Sequence, residues 1–364
     1  MKRFMLSGVL VLGCVVSLCA ETAGSLGMDG RSAAWKQSVA SAVGDATKTR
    51  ALMQQIPEGD RVAFARDVLA VAKVKPTADR KRWVQDYAAV AAGLADGAGG
   101  AKRATIAAVA EAMVEIGVTG EARELTVTGE MTALFQATIE RMPVTDRVAF
   151  AGNVFQAIDK QKAPDAETRN SNFKMASVAL AAGAGEQKVV VVSAAFCEIP
   201  TNALGAVSAA FAEVFDQRRS KLSEPDYLQL AMRTLQAVAD CATGKPDAGV
   251  RFAYAAAAFV GGAGSPATFE GALLAKLTPE ILAKVGLSRD EFVAALAAAK
   301  GGIQGQRVAS PLAIPLFSVQ DLIPPGSVPL GLSVGGETGL PVARENRPPS
   351  PPPGYQNQGI GKKR

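Results

Sequence analysis

Asp60-Arg61-Val62-Ala63-Phe64-Ala65 recurs letter for letter as Asp146-Arg147-Val148-Ala149-Phe150-Ala151, 86 residues further along the chain. Each copy follows an apolar-proline pair, Ile56-Pro57 and Met142-Pro143. A looser third copy, Pro225-Asp226-Tyr227-Leu228-Gln229-Leu230-Ala231, begins about 80 residues later. Self-similarity at a fixed period marks a repeat architecture. Val62, Phe64, Ala65, Val68, Leu69 and Ala72 correspond to Val148, Phe150, Ala151, Val154, Phe155 and Ile158, and then to Leu228, Leu230, Ala231, Thr234, Leu235 and Val238. Steps of three and four put each set on one helical face. Asp60, Asp146 and Asp226 stand where a carboxylate would cap the helix start.

Downstream, each copy meets a break at Pro76, Pro164 or Pro246 and then a second helix. That helix carries an early aromatic (Trp83, Phe173, Phe252) and an alanine-rich run. Alanine has the best helix propensity and lets neighbouring helices approach closely. The glycine clusters at 97–100, 183–185 and 261–264 then end the helices through left-handed turns. Two further helices complete each unit, and helical equivalence with Ile106–Val109 overrides the strand propensity of Val189–Val192. The reading is an all-α helical repeat array, a solenoid or repeat bundle with three units of about four helices, at 56–141, 142–222 and 223–300. A single lead-in helix, 33–55, precedes them.

Composition fits this reading. The chain has 364 residues, 48% hydrophobic and 5% aromatic, and alanine makes up about a fifth. It contains no histidine, which removes Ser-His-Asp triads, Cys-His dyads and histidine zinc sites. The formal charge is +5, yet residues 21–300 hold 31 basic and 31 acidic side chains. Such a balanced surface offers nucleic acid no net attraction.

Residues 1–20 read as a signal peptide: Lys2 and Arg3, an apolar stretch from Phe4 to Leu18, and small Ala20 at the cut. The chain is therefore expected to be periplasmic or secreted, with no integral membrane span after the signal is removed. Lipoprotein processing at Cys14 is disfavoured because it would leave Val15-Val16-Ser17-Leu18 at the new terminus. Cys197 and Cys241 remain in the mature chain. They form one bridge, which an up-down-up helix order would allow by placing both near one end, or stay two buried free thiols.

Residues 301–364 read as a disordered Pro/Gly-rich tail holding eleven of the twenty prolines. Pro348, Pro349, Pro351, Pro352 and Pro353 favour polyproline II, an extended form open to a partner. Tyr355, Lys362, Lys363 and Arg364 complete a candidate interaction tail, although three charges make only a salt-sensitive contact.

Catalytic patterns are weak. Ser171-Asn172-Phe173-Lys174 fits S-x-x-K without its companion S-D-N and K-T-G motifs. Glu111, Glu115, Glu121 and Glu124 are spaced for a solvated face, and Trp83 with Tyr87 fits core better than a ligand platform. No catalytic, cofactor or metal residue is assigned. The expected role is an exported, non-catalytic interaction or structural module of the cell envelope whose partner is a protein or an envelope polymer. The alternatives are a carboxylate-only hydrolase of wall or glycan polymers, and a carrier of small apolar ligands with its cavity near Trp83 or Phe252.

Overall fold

The computed structural model describes residues 33–74, 79–219 and 221–304. Pro76, the signal segment 1–20 with Cys14, and the tail from 305 onward, including Pro348, Pro349, Pro351, Pro352, Pro353, Tyr355, Lys362, Lys363 and Arg364, lie outside the described residues. Those described are mostly helical and fall within the first of two contact units, Met1–Leu322.

The helices are α1 (Ala33–Ala42), α2 (Ala46–Gln55), α3 (Arg61–Val74), α4 (Arg80–Gly97), α5 (Lys102–Glu115), α6 (Gly129–Arg141), α7 (Arg147–Lys160) and α8 (Ala166–Gly183). They continue as α9 (Lys188–Glu198), α10 (Leu204–Arg219), α11 (Glu224–Ala242), α12 (Ala248–Gly262), α13 (Pro266–Lys276), α14 (Pro279–Lys284) and α15 (Arg289–Gln304). A two-stranded hairpin, β1 (Val118–Thr119) and β2 (Glu124–Leu125), sits between α5 and α6.

Packing sorts the helices into two layers. In one, α2, α4, α6, α8, α10, α12 and α15 lie side by side in that order. In the other, α3, α5, α7, α9 and α11 do the same, with α13 and α14 against α11. From α2 to α12 the chain changes layer at every helix.

The equivalent faces read from the sequence are buried alike. Phe64, Ala65, Val68, Leu69 and Ala72 are within the core, as are Phe150, Ala151, Val154, Phe155 and Ile158, and Leu230, Ala231, Leu235 and Val238. Thr234, the polar member of its set, is also buried and donates its hydroxyl to Leu230 O (3.0 Å).

The last glycine of α4, α8 and α12 fixes the spacing of the first layer. A methyl group on Gly97 would lie 2.8 Å from Arg50 O of α2, and one on Gly262 would lie 2.9 Å from Ala212 O of α10. On Gly183 it would run into Gln136 O of α6. Only a hydrogen side chain fits at these crossings. Gly99 (φ +55°) and Gly185 (φ +59°) then take the left-handed turn expected of them. The third cluster differs, because α12 ends on Ala263 with extended backbone.

Half-buried arginines and a buried tyrosine secure the turns between layers. Arg61 Nε donates to Ile56 O (2.9 Å), and its Nη1 donates to Ala98 O beyond α4 (2.9 Å). Arg147 does the same with Met142 O (3.1 Å) and Ala184 O (2.8 Å), adding Glu140 O (2.9 Å). At the corresponding position of the third copy stands Tyr227. Its hydroxyl donates to Phe259 O in the last turn of α12 (2.8 Å).

Four expectations need correction. The lead-in segment 33–55 is two helices, broken at Gly44 (φ +89°) because Asp45 caps α2 by accepting from Lys48 N–H (3.0 Å). Asp60 and Asp146 lie in 3-10 turns, and Asp146 accepts from Lys102 Nζ (3.0 Å). Asp226 is inside α11, whose start is capped by Ser223. Residues 301–304 belong to α15, with Ile303 buried, so the helix runs past the expected boundary at 300.

The register of the second helices also shifts by one turn. Aligning the ends of α4 and α8 puts Tyr87, not Trp83, opposite Phe173 and Phe252. All three of those rings are buried.

Replacing Arg147 by Met leaves three carbonyls without their donor and is expected to lower unfolding stability by about 2–4 kcal/mol. Arg66→Met, which breaks one exposed ion pair with Glu111 (3.5 Å), should cost under about 1 kcal/mol. Urea unfolding of both variants beside the parent measures the difference.

Candidate functional site

Cys197, near the end of α9, and Cys241, near the end of α11, are joined by a disulfide (Cα–Cα 6.2 Å). It closes a loop of sequence separation 44 between neighbouring helices. A loop of that size is worth about 4 kcal/mol in the chain-entropy account.

Around the bridge, cations satisfy the carbonyls that end α9. Lys245 Nζ donates to Cys197 O (2.6 Å) and pairs with Glu198 (3.2 Å). Buried Arg251 directs Nη1 to Phe196 O (2.8 Å) and Ile199 O (2.7 Å). Its Nε donates to Asp247 Oδ1 (2.8 Å), and Thr201 Oγ1 donates to Asp247 Oδ2 (2.5 Å). Cations at a helix C-terminus answer both the open carbonyls and the helix dipole. The arrangement locks a helix end, with Cys197 buried and Cys241 at the surface.

The same position does similar work in α8. Asn172, one residue before Phe173, is buried, accepts from Val127 N–H (2.7 Å) and donates to Leu125 O (3.0 Å). Arg251 likewise precedes Phe252. Asn172 belongs to the S-x-x-K pattern, and its amide is spent on holding the hairpin segment that leads into α6.

Three of the four acidic side chains weighed for hydrolysis are engaged in ion pairs, and Glu121 is exposed. Glu111 lies between Arg66 (3.5 Å) and Lys160 (3.3 Å), Glu115 pairs with Arg123, and Glu124 pairs with Lys162 (3.2 Å). Carboxylates with displaced pKa values, namely Asp45, Asp165, Asp247, Glu280 and Glu291, are all displaced downward. A general acid needs displacement in the other direction. Among the described residues, no group of three or more Cys, Asp or Glu side chains is placed to hold a metal ion. Among the same residues, no single helix is long and apolar enough to cross a membrane.

The rings considered for a ligand cavity are core. Trp83 packs 5.6 Å from Tyr87 and donates Nε1 to Ala72 O (3.3 Å), while Phe252 packs 5.4 Å from Phe292. An apolar cavity of about 280 Å³ lies elsewhere, where α10 ends, α11 begins and α12 turns into α13. Arg219, Glu224, Tyr227, Leu228, Phe269 and Ala272 line it. Phe269 stands 4.9 Å from Tyr227, which in turn meets Phe259 (5.8 Å) and Phe215 (6.5 Å). Burial raises the Tyr227 phenol well above its ordinary pKa, so it stays a neutral donor to Phe259 O. The one sequence signal for this site was tyrosine in the place that holds arginine in the other two copies.

Compared with protein-family models, curated proteins and solved structures, the chain matches none.

The hydrogen bond from Arg251 holds the Asp247 carboxyl near pKa 2, with Thr201 assisting. A lowered carboxylate pKa adds stability that is complete above the unfolded value near 4 and disappears as pH falls toward 2. The parent protein should therefore lose more stability between pH 5 and pH 2 than Asp247→Asn. Urea midpoints across that range test this, and parallel losses would contradict it.

Proposed function

We propose that this chain is an exported, non-catalytic helical-repeat protein serving as an interaction or structural module of the cell envelope. The observation carrying this reading is the recurrence of one structural task at one sequence position. Arg61, Arg147 and Tyr227 each tie the first helix of a unit to the closing turn of its second helix. Residues that serve shape in every unit are those a repeat array requires, since each unit buries its apolar face against its neighbours. Charged side chains engaged in helix-to-helix pairs support a scaffold over a reaction centre.

The Cys197–Cys241 bridge supports the exported part of the proposal, because such bonds persist in oxidising compartments. It agrees with the signal segment ending at Ala20. The proline-rich residues 348–353 with Tyr355, Lys362, Lys363 and Arg364 remain the proposed contact tail, and a protein or envelope polymer the proposed partner. No cofactor forms part of the proposal.

Because α15 runs to Gln304, the test is co-purification from the native envelope of the full chain and of a chain ending there. A stoichiometric partner held by the full chain and lost by the shorter one is the expected result. Retention by both would move the contact onto the helices. Recovery of both chains without a partner would overturn the proposal.

A further inference from the structure

The turn that closes the second helix of each unit carries a guanidinium lying on a glycine. In the first two units it is internal to the fold. Arg61 covers Gly99 and Arg147 covers Gly185, and both arginines spend their donors on neighbouring carbonyls. In the third unit the arginine of the repeat has become Tyr227, and Arg219 from the end of α10 covers Gly264 instead. Among the described residues, Arg219 forms no side-chain hydrogen bond or ion pair, and it lines the 280 Å³ cavity. The guanidinium is thus kept in place while its donors are released, at the mouth of an apolar pocket that reaches Tyr227 and Phe269.

We infer that this cavity is a binding site for a small monoanionic molecule with an apolar body, such as an aryl-alkyl carboxylate. This goes beyond the module reading and does not depend on it. Arg219 supplies a planar fork of donors that matches a carboxylate. Phe269, Leu228, Ala272 and the ring of Tyr227 supply the apolar wall. At roughly 30 Å³ for each atom-sized occupant, the space takes about ten non-hydrogen atoms, which is one ring with a short chain. Glu224, also at the mouth, sets the charge limit, because a second negative charge on the ligand would face its carboxylate. The phenol of Tyr227 is committed to Phe259 O, so the floor adds no free donor and the charge is read by Arg219.

Isothermal titration calorimetry of the full chain with 4-phenylbutyrate and the matched alcohol 4-phenylbutan-1-ol tests the site. The acid should bind with at least about tenfold preference, the worth of a charge-assisted hydrogen bond. Arg219→Gln should abolish that preference. Gly264→Ala should weaken acid binding and spare the alcohol, since the new methyl displaces only the guanidinium, the mobile end of a long side chain. Ala272→Trp, at an exposed helix position, should fill the cavity and remove binding of both while leaving the melting temperature unchanged. The inference is overturned by equal affinity for acid and alcohol, by acid binding that survives Ala272→Trp, or by no saturable acid binding in the millimolar range.

Discussion

The helical body depends on how closely adjacent helices of one layer can approach. At Gly97, Gly183 and Gly262 the final turn of a helix rests on a backbone carbonyl of its neighbour, leaving no room for a methyl group. The alanine-rich stretches of α4, α8 and α12 extend that closeness along the same helices, where most alanines are fully buried. Small side chains give each contact little apolar area, so stability must come from many such contacts and from few unpaired polar groups. That requirement explains why the connections between layers attract hydrogen-bonding side chains.

Those side chains keep a position and change their chemistry. Arg61 reaches two carbonyls and Arg147 three with a long guanidinium, whereas Tyr227 reaches one with a phenol. One position earlier than the buried aromatic of the second helix, Asn172 grips the hairpin strand and Arg251 grips the end of α9. The exchange of arginine for tyrosine has the larger consequence. Tyr227 lines the cavity beside an aromatic cluster, and Arg219 supplies the guanidinium that lies on Gly264.

Much of this framework was legible in the chain. Helical spacing of Val62 to Ala72 and its counterparts identified the buried faces, and the unit-to-unit equivalence correctly turned Val189–Val192 into helix. Helix order allowed a Cys197–Cys241 bridge but left two free buried thiols as the alternative; the structure has the bridge. Other features were hidden for physical reasons. Trp83 and Tyr87 are four residues apart on one face, so periodicity could not say which aligns with Phe173. An aspartate before an apolar run looks like a cap whether it ends a 3-10 turn, as Asp146 does, or sits inside the helix, as Asp226 does. The Gly44-Asp45 break carried a turn signal that the surrounding helical pattern outweighed. The cavity was illegible because it arises from what four chain segments leave unfilled, and no local pattern records that. The tail residues, Pro348 to Arg364, carry a compositional signal alone.

Glycine-to-alanine replacement tests the close-approach account most directly. Alanine normally strengthens a helix interior by about 0.5–1 kcal/mol over glycine, and Gly271 in α13, with open space around it, should show that gain. Thermal and urea unfolding should instead find Gly97→Ala, Gly183→Ala and Gly262→Ala each destabilised, because the added methyl meets backbone that must move. Stabilisation of those three to the same degree as Gly271→Ala would contradict the account.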